Sequence, residues 1–191
     1  MTLTSSLTGI NAVYYFLKHS IKVVAFVVVM MLLVSFTTAR LNALKEQQVT
    51  PLLEGVSMTE RIKQLDCLTK NIYWESAGEP FEGKVAVAQV TLNRAESGRF
   101  GKDICGVVYQ RSTIVEKVIC QFSWVCEAKS RIKPVYPKLY TESEEVAKKV
   151  LFENFRLPSL NDAMYFHATH IKPGWKKEKI AQIGGHVFYK D

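Results

Sequence analysis

The clearest pattern of apolar and polar positions begins at Ser57 and has the period of an α-helix. The S-x-x-E arrangement of residues 57–60 has the form of a helix N-terminal capping box. Apolar positions then recur at helical spacing as far as Glu75. Gly78 and Pro80 interrupt this pattern, and residues 83–95 (GKVAVAQVTLNRA) predict a second, largely buried helix that ends before Gly98. The two helices are expected to meet at a corner.

The remaining elements are shorter. Asp103 is a candidate N-cap for a helix through Tyr109, and the T-x-x-E pattern at residues 141–144 predicts a helix to about Phe155. Residues 118–125 predict a strand or an irregular loop. Residues 163–168 and 186–189 predict two strands that pair across a Pro-Gly-Trp loop. The expected fold class is mainly α with a small β element, in a single folded domain.

The N-terminal segment has a different character. Residues 23–36 (VVAFVVVMMLLVSF) carry no charge, follow Lys18 and Lys22, and precede a Thr-Thr-Ala sequence typical of signal-peptidase sites. We therefore divide the chain into a signal peptide or membrane anchor (1–39), a polar linker (40–56) and a folded domain (57–191). Export follows from either interpretation of residues 1–39, and cleavage and retention both stay open. The expected location is periplasmic, cell-wall-associated or anchored in the inner membrane.

The charge balance indicates the kind of partner without identifying it. Lys and Arg outnumber Asp and Glu by 25 to 18, which gives a formal net charge of +7. A basic surface attracts anionic polymers such as cell wall or nucleic acid. The nearest candidate for a nucleic-acid patch, residues 172–179, is short, so we expect no nucleic-acid binding. We expect a monomer.

Four cysteines, an even number without paired C-x-x-C spacing, favour two disulfides in an exported protein. Three connectivities are possible. The preferred one joins Cys120 to Cys126 around a tight loop and Cys67 to Cys105 between two helical segments. Four buried free thiols are the alternative if the compartment is reducing.

Residues 71–80 (NIYWESAGEP) hold the candidate chemistry. Glu75 and Glu79 lie near a predicted helix end, beside Tyr73 and Trp74. A carboxyl group that loses hydration against aromatic rings has a raised pKa and can carry a proton as a general acid at neutral pH. A solvent-facing or ion-paired glutamate is the plainer interpretation of these residues alone.

Five sequence blocks, in this order along the chain, carry a resemblance to a known family that extends from about Cys67 to Tyr189. They are ESAGEP from Glu75, GKVAVAQVTLNR from Gly83, ICGVVY from Ile104, CQFSW from Cys120 and IGGHVFY from Ile183. Together they resemble the cell wall hydrolase family typified by the spore-cortex-lytic, germination-specific enzymes. The resemblance implies a lysozyme-like fold and lytic transglycosylase or muramidase activity on peptidoglycan, without a metal or cofactor. The family's catalytic glutamate falls on Glu75.

A lytic transglycosylase needs a single carboxyl group, which would be Glu75, and leaves a 1,6-anhydromuramic end. A muramidase that uses water needs a second carboxylate, for which Glu79 and Glu82 are the neighbouring candidates. We expect Glu79 instead to hold the turn after the first helix.

Six further residues are candidates for glycan binding, with core packing as the alternative role for each. Amide and hydroxyl groups bind sugar hydroxyls, and indole rings stack on sugar faces. The candidates are Gln121, Ser123 and Trp124 in the cysteine-closed loop, and Tyr165, His167 and Tyr189 on the predicted strands. Asn93 and Arg94 are expected to anchor backbone carbonyl groups.

Three rival functions remain. A zinc amidase or peptidase would use His167, His170 and His186, although their spacing matches no ligand pattern we recognise. A cysteine endopeptidase would need a free thiol beside a histidine. A module that binds peptidoglycan without cutting it is the non-enzymatic alternative.

Overall fold

The computed structural model describes residues 4–48, 50–114, 116–127 and 136–191, and within residues 4–48 it describes the side chains of 17–44. The chain divides into two compact units, with the boundary between Gln47 and Gln48.

The first unit is a helix, α1 (Thr4–Gln48). Its segment Leu17–Leu44 is long and apolar enough to cross a membrane, and none of that segment is buried in the protein.

The structure differs from the predicted linker at residues 40–56. Helix α1 continues to Gln48, and Thr50 is already buried in the second unit, where its N–H donates to the Leu151 carbonyl (3.0 Å). Leu53 lies in the hydrophobic core with 1% exposure. Residues 50–56 therefore belong to the folded domain, because they bury an apolar side chain and satisfy their backbone groups there.

Five helices build most of the second unit. They are α2 (Met58–Ser76), α3 (Phe81–Ser97), α4 (Ile104–Val108), α5 (Ser123–Cys126) and α6 (Pro137–Phe152). Short 3-10 turns cover Pro51–Leu53 and Pro158–Leu160. Helix α3 is the central helix, since every side chain from Gly83 to Ala95 is buried.

The strands form two antiparallel sheets. β1 (Arg111–Ile114) and β2 (Lys117–Cys120) form an exposed hairpin. β3 (Tyr165–Ala168), β4 (Glu178–Ile183) and β5 (His186–Lys190) form a three-stranded sheet in the order β3, β5, β4. Phe166 and Phe188 pair across β3 and β5 and pack towards the core side of this sheet.

Several predicted elements are confirmed. The Ser57 hydroxyl accepts from the Glu60 N–H (3.3 Å) at the start of α2, and Asp103 accepts from the Gly106 N–H (2.6 Å) at the start of α4. Helix α3 ends at Gly98, which has a φ of 67°. The predicted pairing of residues 163–168 with 186–189 is present as β3 and β5.

Three features differ from the prediction. Residues 118–125 were expected to form a strand or an irregular loop, but Ser123–Cys126 is helix α5. Helix α6 begins at Pro137, so the T-x-x-E pattern at Thr141 lies inside the helix and does not cap it. Proline suits the first helical turn because its missing N–H would have no partner there. Strands β1 and β4 were not predicted, since neither carries a clear alternation of apolar and polar residues.

Candidate active site

Glu75 lies in the last turn of α2, which ends at Ser76 before the Gly78 turn. Its side chain is partly buried, and this burial raises the pKa of the carboxyl group from 4.5 to about 7. A carboxyl group in this state exchanges a proton readily at neutral pH, as a general acid must. Glu75 is thus the described carboxyl group best suited to proton transfer.

Two charged groups act on Glu75 besides burial. The positive charge of Arg94 lowers its pKa, and the negative charge of Glu127 raises it. Both groups come from other parts of the fold, Arg94 from α3 and Glu127 from the residue after α5. Burial has the larger effect on the pKa of Glu75, and these two charges act on it in opposite directions.

Arg94 is held firmly in place. Only 4% of it is exposed, its Nε donates to the Met164 carbonyl (2.8 Å), and its guanidinium lies 5.2 to 5.9 Å from three aromatic ring centroids. Those rings belong to Phe100, Phe122 and Tyr165. Burial lowers the pKa of Arg94 to about 10, which still leaves it charged at neutral pH. Its Nη1 is buried and has no hydrogen-bond partner among the described residues.

The carbonyl-anchoring role expected of Asn93 and Arg94 is confirmed. The Asn93 amide donates to the carbonyls of Leu160 and Ala163 (both 2.9 Å), next to the Met164 carbonyl that Arg94 binds. These bonds fasten the chain that leads into β3 onto α3. The tight attachment places Tyr165 beside Arg94.

Glu79 joins two turns that are far apart in the sequence. Its carboxylate accepts from the Gly185 N–H (2.8 Å) in the turn between β4 and β5, and its Oε1 lies 3.7 Å from His186 Nδ1. A Cβ atom at Gly184 or Gly185 would overlap this carboxylate. The E-x-x-G-E-P and I-G-G-H blocks therefore meet in space, and Glu79 holds its turn as expected.

The cysteine-closed loop packs against the end of α2. The disulfides are Cys67–Cys105 and Cys120–Cys126, the preferred connectivity. In the loop, the Trp124 indole donates to the Asn71 side-chain oxygen (3.1 Å) and stacks on Trp74 (centroids 6.2 Å apart, planes at 22°).

The other two loop candidates differ from Trp124 in exposure. Ser123 is exposed, and Gln121 is partly buried, with its N–H donating to the Gln110 carbonyl (2.9 Å). Trp124 thus packs on α2, against Trp74, which directly precedes Glu75 in the chain.

Tyr165, His167 and Tyr189 lie together on one face of the three-stranded sheet. Tyr165 and Tyr189 are directly opposite each other in the β3 to β5 register. His167 Nδ1 lies 2.8 Å from the Ala168 carbonyl, so this nitrogen carries the hydrogen, and Nε2 accepts from the Tyr189 hydroxyl (2.8 Å). The structure therefore brings these three predicted residues together, and Tyr165 links them to Arg94.

The arrangement does not support the zinc and cysteine alternatives. His186 shares the core face of the sheet with Phe188, whereas His167 is on the opposite face and His170 is exposed. Among the described residues, no three His, Cys, Asp or Glu side chains are grouped to hold a metal ion. All four cysteines are in disulfides, which removes the thiol nucleophile.

Comparison with known proteins identifies the family. The family model described as Cell Wall Hydrolase matches residues 78–189, more than half of the chain. The chain belongs to the cell wall hydrolase family. The predicted resemblance is thereby confirmed.

The relatives are spore cortex-lytic enzymes. The chain is 29% identical to one from Bacillus cereus over 157 residues, which cover 80% of this chain and 52% of the relative. It is 29% identical over 130 residues to one from Oceanobacillus iheyensis, covering 66% and 41%. The chain thus spans about half or less of the length of these relatives.

A solved structure has the same fold. The catalytic domain of the germination-specific lytic transglycosylase SleB from Bacillus anthracis matches with a TM-score of 0.51 and 26% identity, over 66% of this chain and 93% of that one. The predicted fold class, mainly α with a small β element and lysozyme-like, is confirmed.

The two charges that act on Glu75 were not predicted from the sequence. Arg94 was assigned only to anchoring, and Glu127 was not considered. Both lie far from Glu75 in the sequence, and their proximity depends on the packing of α3 and of the disulfide loop. The sequence offered one signal for Glu127, which is that it directly follows Cys126, the cysteine that closes the loop.

Proposed function

We propose that this protein cleaves peptidoglycan glycan strands between N-acetylmuramic acid and N-acetylglucosamine, as a lytic transglycosylase with Glu75 as its catalytic carboxyl group. The observation that carries the proposal is the burial of Glu75, which raises its pKa to about 7. Membership of the cell wall hydrolase family and the likeness to a solved lytic transglycosylase domain support it.

The reaction uses Glu75 twice. In its protonated form it donates to the departing glycosidic oxygen, which becomes a hydroxyl group as the bond to C1 of the muramic acid breaks. The resulting carboxylate then takes the proton from the C6 hydroxyl of the same sugar while that oxygen bonds to C1. The product is a 1,6-anhydro end, and Glu75 is protonated again.

The surroundings of the other carboxylates favour a single catalytic carboxyl group. Glu79 is engaged by the Gly185 N–H, and Glu82 is exposed in the first turn of α3. Glu127 is the one whose charge acts on Glu75, so it is the candidate base if water is the nucleophile instead. Replacing Glu127 therefore distinguishes a transglycosylase from a muramidase.

We further propose that the domain acts as a monomer outside the cytoplasm, held at the membrane by α1. The segment Leu17–Leu44, which is long and apolar enough to cross a membrane, supports this placement. Peptidoglycan is the proposed partner. The proposal requires no metal or organic cofactor, since Glu75 performs both proton transfers.

The test is mass spectrometry of the soluble products released from purified peptidoglycan by the full chain in detergent micelles. Wild type is compared with Glu75→Gln and Glu127→Gln, and Glu82→Gln serves as an exposed-glutamate control. We expect anhydro-muropeptides from wild type, Glu127→Gln and Glu82→Gln, and none from Glu75→Gln.

The alternatives give different products. Reducing-end muropeptides that disappear with Glu127→Gln indicate hydrolysis with Glu127 as the base. Glycan binding without any product from folded, disulfide-bonded wild type indicates a binding module and refutes the catalytic proposal.

A further inference from the structure

The outer face of the three-stranded sheet carries a group of aromatic side chains. Tyr165 and His167 of β3 and Tyr189 of β5 lie on the face opposite Phe166 and Phe188. The His167 and Tyr189 rings are stacked, with centroids 5.2 Å apart and planes at 27°. The hydrogen bond between His167 and Tyr189 fixes both rings in place.

Trp175 lies over this group. It belongs to the loop before β4, and its ring centroid is 6.1 Å from Tyr165, 6.0 Å from His167 and 6.2 Å from Tyr189. The residue nevertheless remains 41% exposed. We call Trp175, Tyr165, His167 and Tyr189 the aromatic platform. Because three rings already hold the indole, a ligand that stacks on its exposed surface would cost little side-chain conformational entropy.

Charged groups surround the aromatic platform. The Lys177 ammonium lies 3.7 Å from the Tyr165 ring centroid and donates to Asp191 (2.8 Å). Arg99 also pairs with Asp191. An apolar ring face beside fixed donors and acceptors suits a sugar, which presents an apolar face of C–H groups and a rim of hydroxyl groups.

The aromatic platform is connected to the candidate active site through Tyr165. The Arg94 guanidinium lies 5.9 Å from the Tyr165 ring centroid, and its charge acts on Glu75. A polymer bound at Glu75 would have further sugar units available for the neighbouring sheet face. Because the proposed substrate is a polymer, the candidate occupants of this face are further sugar units of the same strand.

We propose that the aromatic platform is a sugar-binding subsite, in which Trp175 stacks on a sugar ring of the same glycan strand beyond the bond that is cleaved. The proposal rests on the proposed function. It assigns Trp175 a role in holding the strand and no role in proton transfer.

The test compares steady-state kinetics of the full chain in detergent micelles on soluble peptidoglycan glycan oligomers. We expect Trp175→Ala to raise KM roughly fivefold to tenfold, because a stacking contact is lost, and to leave kcat near the wild-type value. Trp175→Leu keeps apolar bulk on the three rings but removes the flat indole, so we expect a similar rise. Phe155→Ala is the matched control, since Phe155 is 40% exposed and packs on Phe81.

A KM for Trp175→Leu that equals that of Phe155→Ala would overturn the subsite, whatever its kcat. The Leu variant also covers the case in which Trp175→Ala does not fold.

Failure of the proposed function is distinguished by a second measurement. If wild type cleaves no glycan, cosedimentation with insoluble peptidoglycan replaces kinetics. Binding by wild type that Trp175→Leu loses supports the subsite while the catalytic proposal fails. Equal binding by both overturns the subsite alone, and no binding by wild type overturns both proposals.

Discussion

Burial of the Glu75 carboxyl group makes the stability of the protein depend on pH. The pKa is raised from 4.5 to about 7, so between these values the folded protein retains a proton that the unfolded chain has released. Rising pH across this window therefore lowers the free energy of unfolding, and above pH 7 this decrease is complete. Below 4.5 both states are protonated and the effect vanishes.

We expect Glu75→Gln to stabilise the protein at pH 8 by at most roughly 3 kcal/mol, and by little at pH 4. The amide resembles the protonated carboxyl group in shape but never ionises. Urea unfolding followed by tryptophan fluorescence measures the difference, with exposed Glu82→Gln as the control. A stabilisation of the same size at both pH values would contradict the burial of an ionisable Glu75.

Arg94 is expected to set the pH at which activity declines. In the proposed mechanism protonated Glu75 is the acid, so kcat/KM is expected to fall as pH rises through its pKa. Arg94→Gln removes the positive charge that lowers this pKa, and we expect the falling limb to move about one pH unit towards alkaline pH.

Arg94→Lys is the matched control for this measurement. Both variants lose the guanidinium Nε that binds the Met164 carbonyl, but lysine keeps a charge. A midpoint that moves equally in both variants, or towards acid pH, would show that Arg94 does not act on Glu75 through its charge.

At the scale of the elements, one carboxylate couples the α2 to α3 turn to the β4 to β5 turn. Gly184 has a φ of +56°, and a Cβ there would collide with the Glu79 carboxylate. We expect Gly184→Ala to lower the free energy of unfolding by on the order of 2 to 3 kcal/mol, from backbone strain and the collision together.

The collision part depends on Glu79, so a double-mutant cycle isolates it. The double variant Gly184→Ala with Glu79→Ala should lose less stability than the sum of the two single variants. Gly78→Ala is the control, because a Cβ at Gly78 would meet no atom within 4 Å. Strict additivity of the two changes would show that the turns are not coupled through this carboxylate.

Elements specified by local chemistry were predictable from the sequence. The caps at Ser57 and Asp103 and the stop at Gly98 each act within a few residues. Strand β4 was not predictable because its charged sequence shows no alternation, and its place comes from pairing with β5. Strand β1 is exposed at all four positions, so no apolar pattern marks it.

The candidate site likewise has features that local sequence predicts and features that depend on the packed fold. Glu75 could be named from its motif, and the adjacent Tyr73 and Trp74 predicted a raised pKa, but the sequence did not reveal the two charges that act on this group. That pKa arises from burial and from charges on α3 and after α5, which only the packed fold brings near it. The bond between Glu79 and Gly185 likewise spans 106 residues and leaves no local signal.

At the scale of the whole molecule, the proposed location of the domain depends on α1. The helix runs without interruption through Thr37, Thr38 and Ala39, the sequence that resembled a signal-peptidase site. The helix contains, within Leu17–Leu44, a segment that is long and apolar enough to cross a membrane. We propose that α1 is retained as a membrane anchor.

We therefore expect the chain to remain in the membrane fraction after alkaline carbonate washing and to keep the mass of the uncleaved chain. Replacing Val28 and Leu32 by arginine should release it, because each buried charge disfavours insertion by about 2.5 to 3.5 kcal/mol. Val28→Leu with Leu32→Val is the control that preserves hydropathy. A soluble wild-type chain that begins near Arg40 would show that α1 is removed. In that case the released domain would diffuse in the periplasm or wall. It would then reach peptidoglycan that a domain anchored at the membrane cannot reach.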